Sequence, residues 1–183
     1  LQTGFNYERN VRVERYVFDQ LDKISTFAGP KFVYAHVMTP HDPILFDANG
    51  EILTDPAFFP PAGQQLPPGY FTKGAIGEFQ YTNKRILAIV KEILAQSRVP
   101  PIILIQGDHG RSSPRNAILS AYYLPEGGDD QIDAHISPVN SFRVIFDTYF
   151  GAHFGRLADV SYRVEKDQPG VFTVLKDPNP ACR

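Results

Sequence analysis

The chain is poor in several residue types that would narrow its chemistry. Its 183 residues include a single Cys, a single Met and no Trp. The lone cysteine, Cys182, excludes an internal disulfide framework and a cysteine-based metal cluster. No apolar run approaches the roughly 20 residues that span a bilayer, so this segment is expected to be soluble. Neither sign of charge dominates: Lys+Arg number 18 and Asp+Glu 20, a formal charge of −2. The basic surplus of a general nucleic-acid binder is therefore missing, and no nucleic-acid partner is expected. A hydrophobic fraction of 43% at low net charge excludes a disordered tail. The sequence also lacks a Gly-x-Ser-x-Gly elbow, a phosphate-cradling P-loop and a dinucleotide glycine fingerprint. No Met stands at the head, where the chain opens on Leu1, and the expectation is of a piece processed or cut from something longer.

What is present alternates between helical and strand patterns. After a polar lead-in over 1–10, Val13, Val17, Leu21 and Ile24 predict an amphipathic helix from Val11 to about Phe27, with Arg12, Glu14, Arg15, Asp19 and Asp22 on its wet side. Gly29-Pro30 ends it, and residues 31–38 read as a strand covered on both faces. Residues 39–77 are rich in Pro, Gly and aromatics, the composition of a long loop packed down as a lid or rim. A second helix is predicted over 79–97, with Ile86, Val90, Ile93 and Leu94 on one stripe, followed by strands at 102–106 and 117–124. Ser137-Pro138 predicts an N-cap and first helical residue. That helix should carry Phe142, Phe146, Tyr149 and Phe150 inward and stop at Gly151. Val171–Leu175 reads as a short edge strand, and 163–183 as a tail. The order predicts one α/β domain over 1–183, three layers deep, with a mostly parallel or mixed sheet.

In such sheets ligands gather beyond the carboxyl ends of the strands. The first predicted strand runs into Thr39-Pro40-His41-Asp42-Pro43 and the second into Gly107-Asp108-His109-Gly110. If both strands run parallel in one sheet, His41, Asp108 and His109 share an edge. A carboxylate beside an imidazole is half of a shell for Zn²⁺ or Mn²⁺, and the flanking glycines permit the turn that converges them. The same pair also suits a turn Asp capping backbone amides beside an exposed His. His41, held between prolines, is placed to donate to a phosphate or sulfate oxygen or to protonate a leaving group; a solvated loop histidine is the plainer reading. Arg111 is a candidate contact for an anionic substrate, or a surface Arg in a Ser-rich turn.

The run Phe32-Val-Tyr-Ala-His-Val-Met-Thr-Pro-His-Asp-Pro43, then Tyr81-Thr-Asn-Lys-Arg-Ile-Leu87, then Ile103-Leu-Ile-Gln-Gly-Asp-His-Gly110, resembles the carboxyl-terminal half of the sulfatase-like branch of the alkaline phosphatase superfamily. It looks like the membrane-anchored members related to lipoteichoic acid synthase and the phosphoethanolamine transferases. Ala121-Tyr-Tyr-Leu-Pro125 and Ile136-Ser-Pro-Val-Asn-Ser-Phe142 fit the same pattern, so that residues from about 10 to 162 take part. The resemblance implies a divalent metal (Zn, Mn, Ca or Mg) with Asp108 and His109 as two of its ligands. It implies that His41 contacts the anionic group being transferred, with a sulfate or phosphate ester as substrate. It further implies that the nucleophile and the first acidic ligands belong to an amino-terminal half of the same protein, outside the cytoplasmic membrane, and that this piece alone is inactive. The alternative is a non-catalytic binding module that keeps the sheet.

Overall fold

The computed structural model describes residues 2–55, 58, 69, 71–110, 118–164, 167–168 and 170–175. They form a mixed α/β chain that divides into two compact units, Leu1–Arg98 and Val99–Arg183. Among the described residues no helix is long and apolar enough to cross a membrane.

The first unit is built on helices α1 (Gln2–Leu21) and α2 (Ile76–Gln96), with a short 3-10 turn at Ile24–Thr26 and a π-helical lead-in at Phe71–Ala75. Helix α1 begins at Gln2, within the expected lead-in. It does not bury the predicted stripe: Val13 is 46% exposed, and the buried positions are Tyr7, Val11, Glu14 and Phe18. Those four recur at steps of four, three and four, so they line one helical face as regularly as the predicted set. The predicted wet-side Glu14 is thus an interior residue. Between the helices, Ile44, Leu45 and Phe46 are fully or almost fully buried. Tyr7, Val11, Leu45 and Phe46 pack together with Tyr81 against them. The Tyr81 ring stands edge-on to Phe18 at 5.8 Å between centroids and tilted to Phe46 at 5.1 Å, arrangements that aromatic quadrupoles favour. Part of the long loop is therefore packed down, as expected; most of 56–70 lies outside the described residues.

A turn at Asp47–Gly50 folds this loop back: Phe46 bridges Ile52, and the Asp47 carboxylate accepts the amides of Asn49 and Glu51. Gly50 has φ +88°, and a Cβ there would sit 2.5 Å from Tyr81 Cε2. Both the left-handed backbone and the close ring require glycine.

Residues 31–38 are not a strand. They join no ladder, and Phe32 and Tyr34 are 80% and 79% exposed. In the second unit, β1 (Ile103–Gln106) pairs antiparallel with β2 (Ser120–Tyr123), Ile103 opposite Tyr123 and Gln106 opposite Ser120. Strands β3 (Tyr162–Val164) and β4 (Phe172–Val174) form a second antiparallel pair, with β4 inside the expected edge strand. The described residues hold two two-stranded antiparallel sheets.

Helix α3 (Pro138–Phe150) starts after an extended Ser137, has Pro at its first position and ends at a left-handed Gly151, as predicted. Its inward face is not the phenylalanine row. Asn140, Ser141, Val144 and Ile145 are buried, while Phe142, Phe146 and Phe150 are 45%, 39% and 66% exposed. Polar partners explain the choice: the Asn140 amide donates to Leu157 O and Asp159 and accepts the Leu157 N–H, leaving none of its buried groups wanting.

Candidate functional site

The turn after β1 is braced from behind. Ser120 Oγ donates to the Tyr122 hydroxyl, Tyr122 donates to Ser141 Oγ at 2.8 Å, and Ser141 donates to Gln106 Oε1 at 2.8 Å. This polar chain ties the last residue of β1 to β2 and to α3. Beyond it, Asp108 and His109 lie on a bend, both exposed.

Within that bend Asp108 Oδ1 accepts the His109 amide at 2.9 Å, and His109 Nδ1 lies 3.0 Å from Gly110 O. A carbonyl oxygen only accepts, so Nδ1 carries the proton and Nε2 keeps its lone pair in the neutral ring. That nitrogen stands 3.6 Å from Asp108 Oδ2. Two N/O ligands at zinc distances on tetrahedral corners are about 3.4 Å apart, so the pair fits one edge of a coordination shell. An imidazole whose other nitrogen is tied to a carbonyl is also the usual form of a metal ligand. Among the described residues no group of three or more His, Cys, Asp or Glu stands ready for a metal; Asp108 and His109 supply two positions only. The turn-capping reading of Asp108 is realised as well, through its other oxygen. Arg111 lies outside the described residues.

His41 belongs to the first unit and shows the same local device: its Nδ1 lies 2.6 Å from the carbonyl of the following residue, Asp42. Nε2 is again the nitrogen left for a partner, on an exposed ring. The Thr39–Pro40 and Asp42–Pro43 peptide bonds on either side are cis, and His41 N–H donates to Met38 O at 2.8 Å. A cavity of about 70 Å³ beside it is lined by Glu14, Thr39, His41 and Asp42 with apolar walls from Met38 and Leu45.

Two buried carboxylates hold this loop: Glu14, expected on the wet side of its helix, and Glu78, to which the sequence pattern assigns no role. Glu14, 1% exposed, accepts the Met38 amide through Oε1 at 2.9 Å. Glu78, fully buried, accepts the amides of Leu45 and Phe46 at 2.6 and 3.2 Å. Burial pushes the Glu14 carboxyl above its ordinary range; the Met38 amide, Thr39 and the charge on His36 pull the other way without cancelling it. The available signal was positional: Glu14 falls in register with Val11 and Phe18, and Glu78 with Thr82 and Ile89.

No protein-family model, no curated protein and no solved structure matches the chain.

Proposed function

We propose that this chain is the carboxyl-terminal part of a sulfatase-like, metal-dependent enzyme that hydrolyses or transfers sulfate or phosphate esters. In that reading the chain is the carboxyl-terminal portion of one three-layer α/β domain with a mostly parallel or mixed sheet, held outside the cytoplasmic membrane by an anchor elsewhere in the protein. The observation that carries the reading is the Asp108 Oδ2 to His109 Nε2 separation of 3.6 Å, with Nδ1 tied to Gly110 O.

Asp108 and His109 would hold a divalent cation, and the amino-terminal half would bring the remaining ligands and the nucleophile. Such a cation, when bound, would supply positive charge near the transferring group. His41, with Nδ1–H committed to Asp42 O, offers Nε2 outward. Protonated, that nitrogen donates to an ester oxygen or hands its proton to the departing alcohol. Arg111 is assigned to the anion's remaining oxygens.

Calorimetric titration with Zn²⁺ or Mn²⁺ tests the reading. Asp108→Ala and His109→Ala should each weaken binding by about tenfold or more, and residues 1–183 alone should turn over no sulfate or phosphate ester. The rival reading is a non-catalytic binding module. It is favoured by the bond from the His109 amide to Asp108 Oδ1, which lets the bend stand without a ligand. It requires both variants to titrate as the wild type does.

A further inference from the structure

Nothing in the sulfatase-like reading assigns a role to the two buried glutamates, yet both converge on one loop. Glu14 comes from the middle of α1 and Glu78 from the first turn of α2. They meet the chain on opposite flanks of His41: Glu14 at Met38, and Glu78 at Leu45 and Phe46. The bonds are backbone amide to carboxylate, the charge-assisted class that is stronger than neutral pairs. Each carboxylate gives up water to make them, since neither side chain is more than 1% exposed. Tyr7 adds a further tie on the Leu45 side, its hydroxyl reaching the carbonyls of Leu45 and Leu53.

Simple helix solubility or packing does not account for this placement. Both carboxylates sit where an apolar residue would serve the core better, and each spends an oxygen on backbone of the same short loop. Between the anchors, His41 sets its own ring through Nδ1 and Asp42 O and its own backbone through Met38 O. The ring's frame is therefore the backbone at 38–46, and that frame is fixed by the two glutamates.

We propose that Glu14 and Glu78 are positioning residues for His41, holding the two ends of its loop so that Nε2 is presented in one orientation and one tautomer. The role rests on the reading of His41 as the anion-contacting residue, but the positioning itself is read without substrate or metal. Failure of metal binding at Asp108 and His109 would remove the enzyme reading and leave the clamp intact.

The test uses residues 1–183 labelled with ¹⁵N, comparing wild type with Glu14→Ala, Glu78→Ala and the conservative Glu14→Gln and Glu78→Gln. At a pH where the imidazole is neutral, the wild-type His41 ring nitrogens should give two well-separated signals, one protonated and one bare. In the alanine variants those signals should draw together as tautomers mix. The amide of Met38 (Glu14→Ala) or of Leu45 and Phe46 (Glu78→Ala) should exchange with solvent about tenfold faster or more. Glutamine keeps an acceptor oxygen and should restore both signatures. Folded alanine variants with unchanged His41 signals would overturn the proposal. Should the alanine variants fail to fold, the wild type still decides: Met38 is an exposed residue, and an amide there exchanging as freely as in an unstructured peptide would overturn it equally.

Discussion

His41 and His109 carry the same local feature in opposite surroundings. Each ties Nδ1 to the carbonyl of the next residue. The loop of His41 is then anchored by carboxylates buried in two helices. Among the described residues the bend of His109 is anchored through Gln106 and the Tyr122–Ser141 chain, and the Asp108 side chain is 89% exposed. The backbone around His41 is bonded from both flanks by buried carboxylates, whereas the acid–imidazole pair lies on an exposed bend just after a strand end.

Experiments that break this contrast should do so most strongly from the buried side. Phe46→Ala empties a fully buried site against Tyr81 and should cost about 3–5 kcal/mol in urea unfolding. It should free the Leu45 and Phe46 amides as well; a loss below ~1 kcal/mol would show that the loop does not depend on its core.

The Glu14 carboxyl comes next. Its folded pKa is raised by burial above the ordinary 4.5, so between that value and the folded pKa the folded state holds a proton that the unfolded chain has released. Stability from this group is full below the ordinary value and falls as pH rises through the folded one. Glu14→Gln should therefore gain on the wild type as pH rises from about 4 towards neutrality, measured as urea midpoints. Parallel curves would refute the sign.

The smallest effect is expected at Asp159 in the second unit. Burial raises its carboxyl, but the Ser137 side chain and amide, Asn140 and Arg156 outweigh that and hold it below the ordinary 3.8. Its contribution is present above that value and is lost as pH falls through the folded pKa. Asp159→Asn should cost about 1 kcal/mol near neutrality, and the cost should shrink in acid. An unchanged difference down to about pH 2 would show that the carboxylate does not matter there.

Helix existence was legible in the sequence because periodicity, Ser137-Pro138 and Gly151 are local signals, and α1, α2 and α3 follow them. Which face turned inward was not legible in α1 and α3. In α3 the phenylalanines carry more apolar area than Asn140 and Ser141, yet the polar pair is buried because its partners at 157–159, Gln106 and Tyr122 are distant in sequence. The strand expected at 31–38 rested on β propensity, a preference that depends on neighbours to pair with, and the described residues offer it none. The candidate site was half legible. The Asp108–His109 bend is a local feature, whereas Glu14 and Glu78 act over 24 to 33 residues, and Glu14 fell on the expected wet side of its helix.

Gly50 gives the fold an unexpected point of fragility. Any side chain there would strike Tyr81, the ring wedged between Phe18 and Phe46. A mutational scan scored by survival would rank this surface-turn glycine among the essential positions, although it has no chemistry of its own. Only an assay separating the amount of folded protein from its behaviour per molecule would tell the two apart.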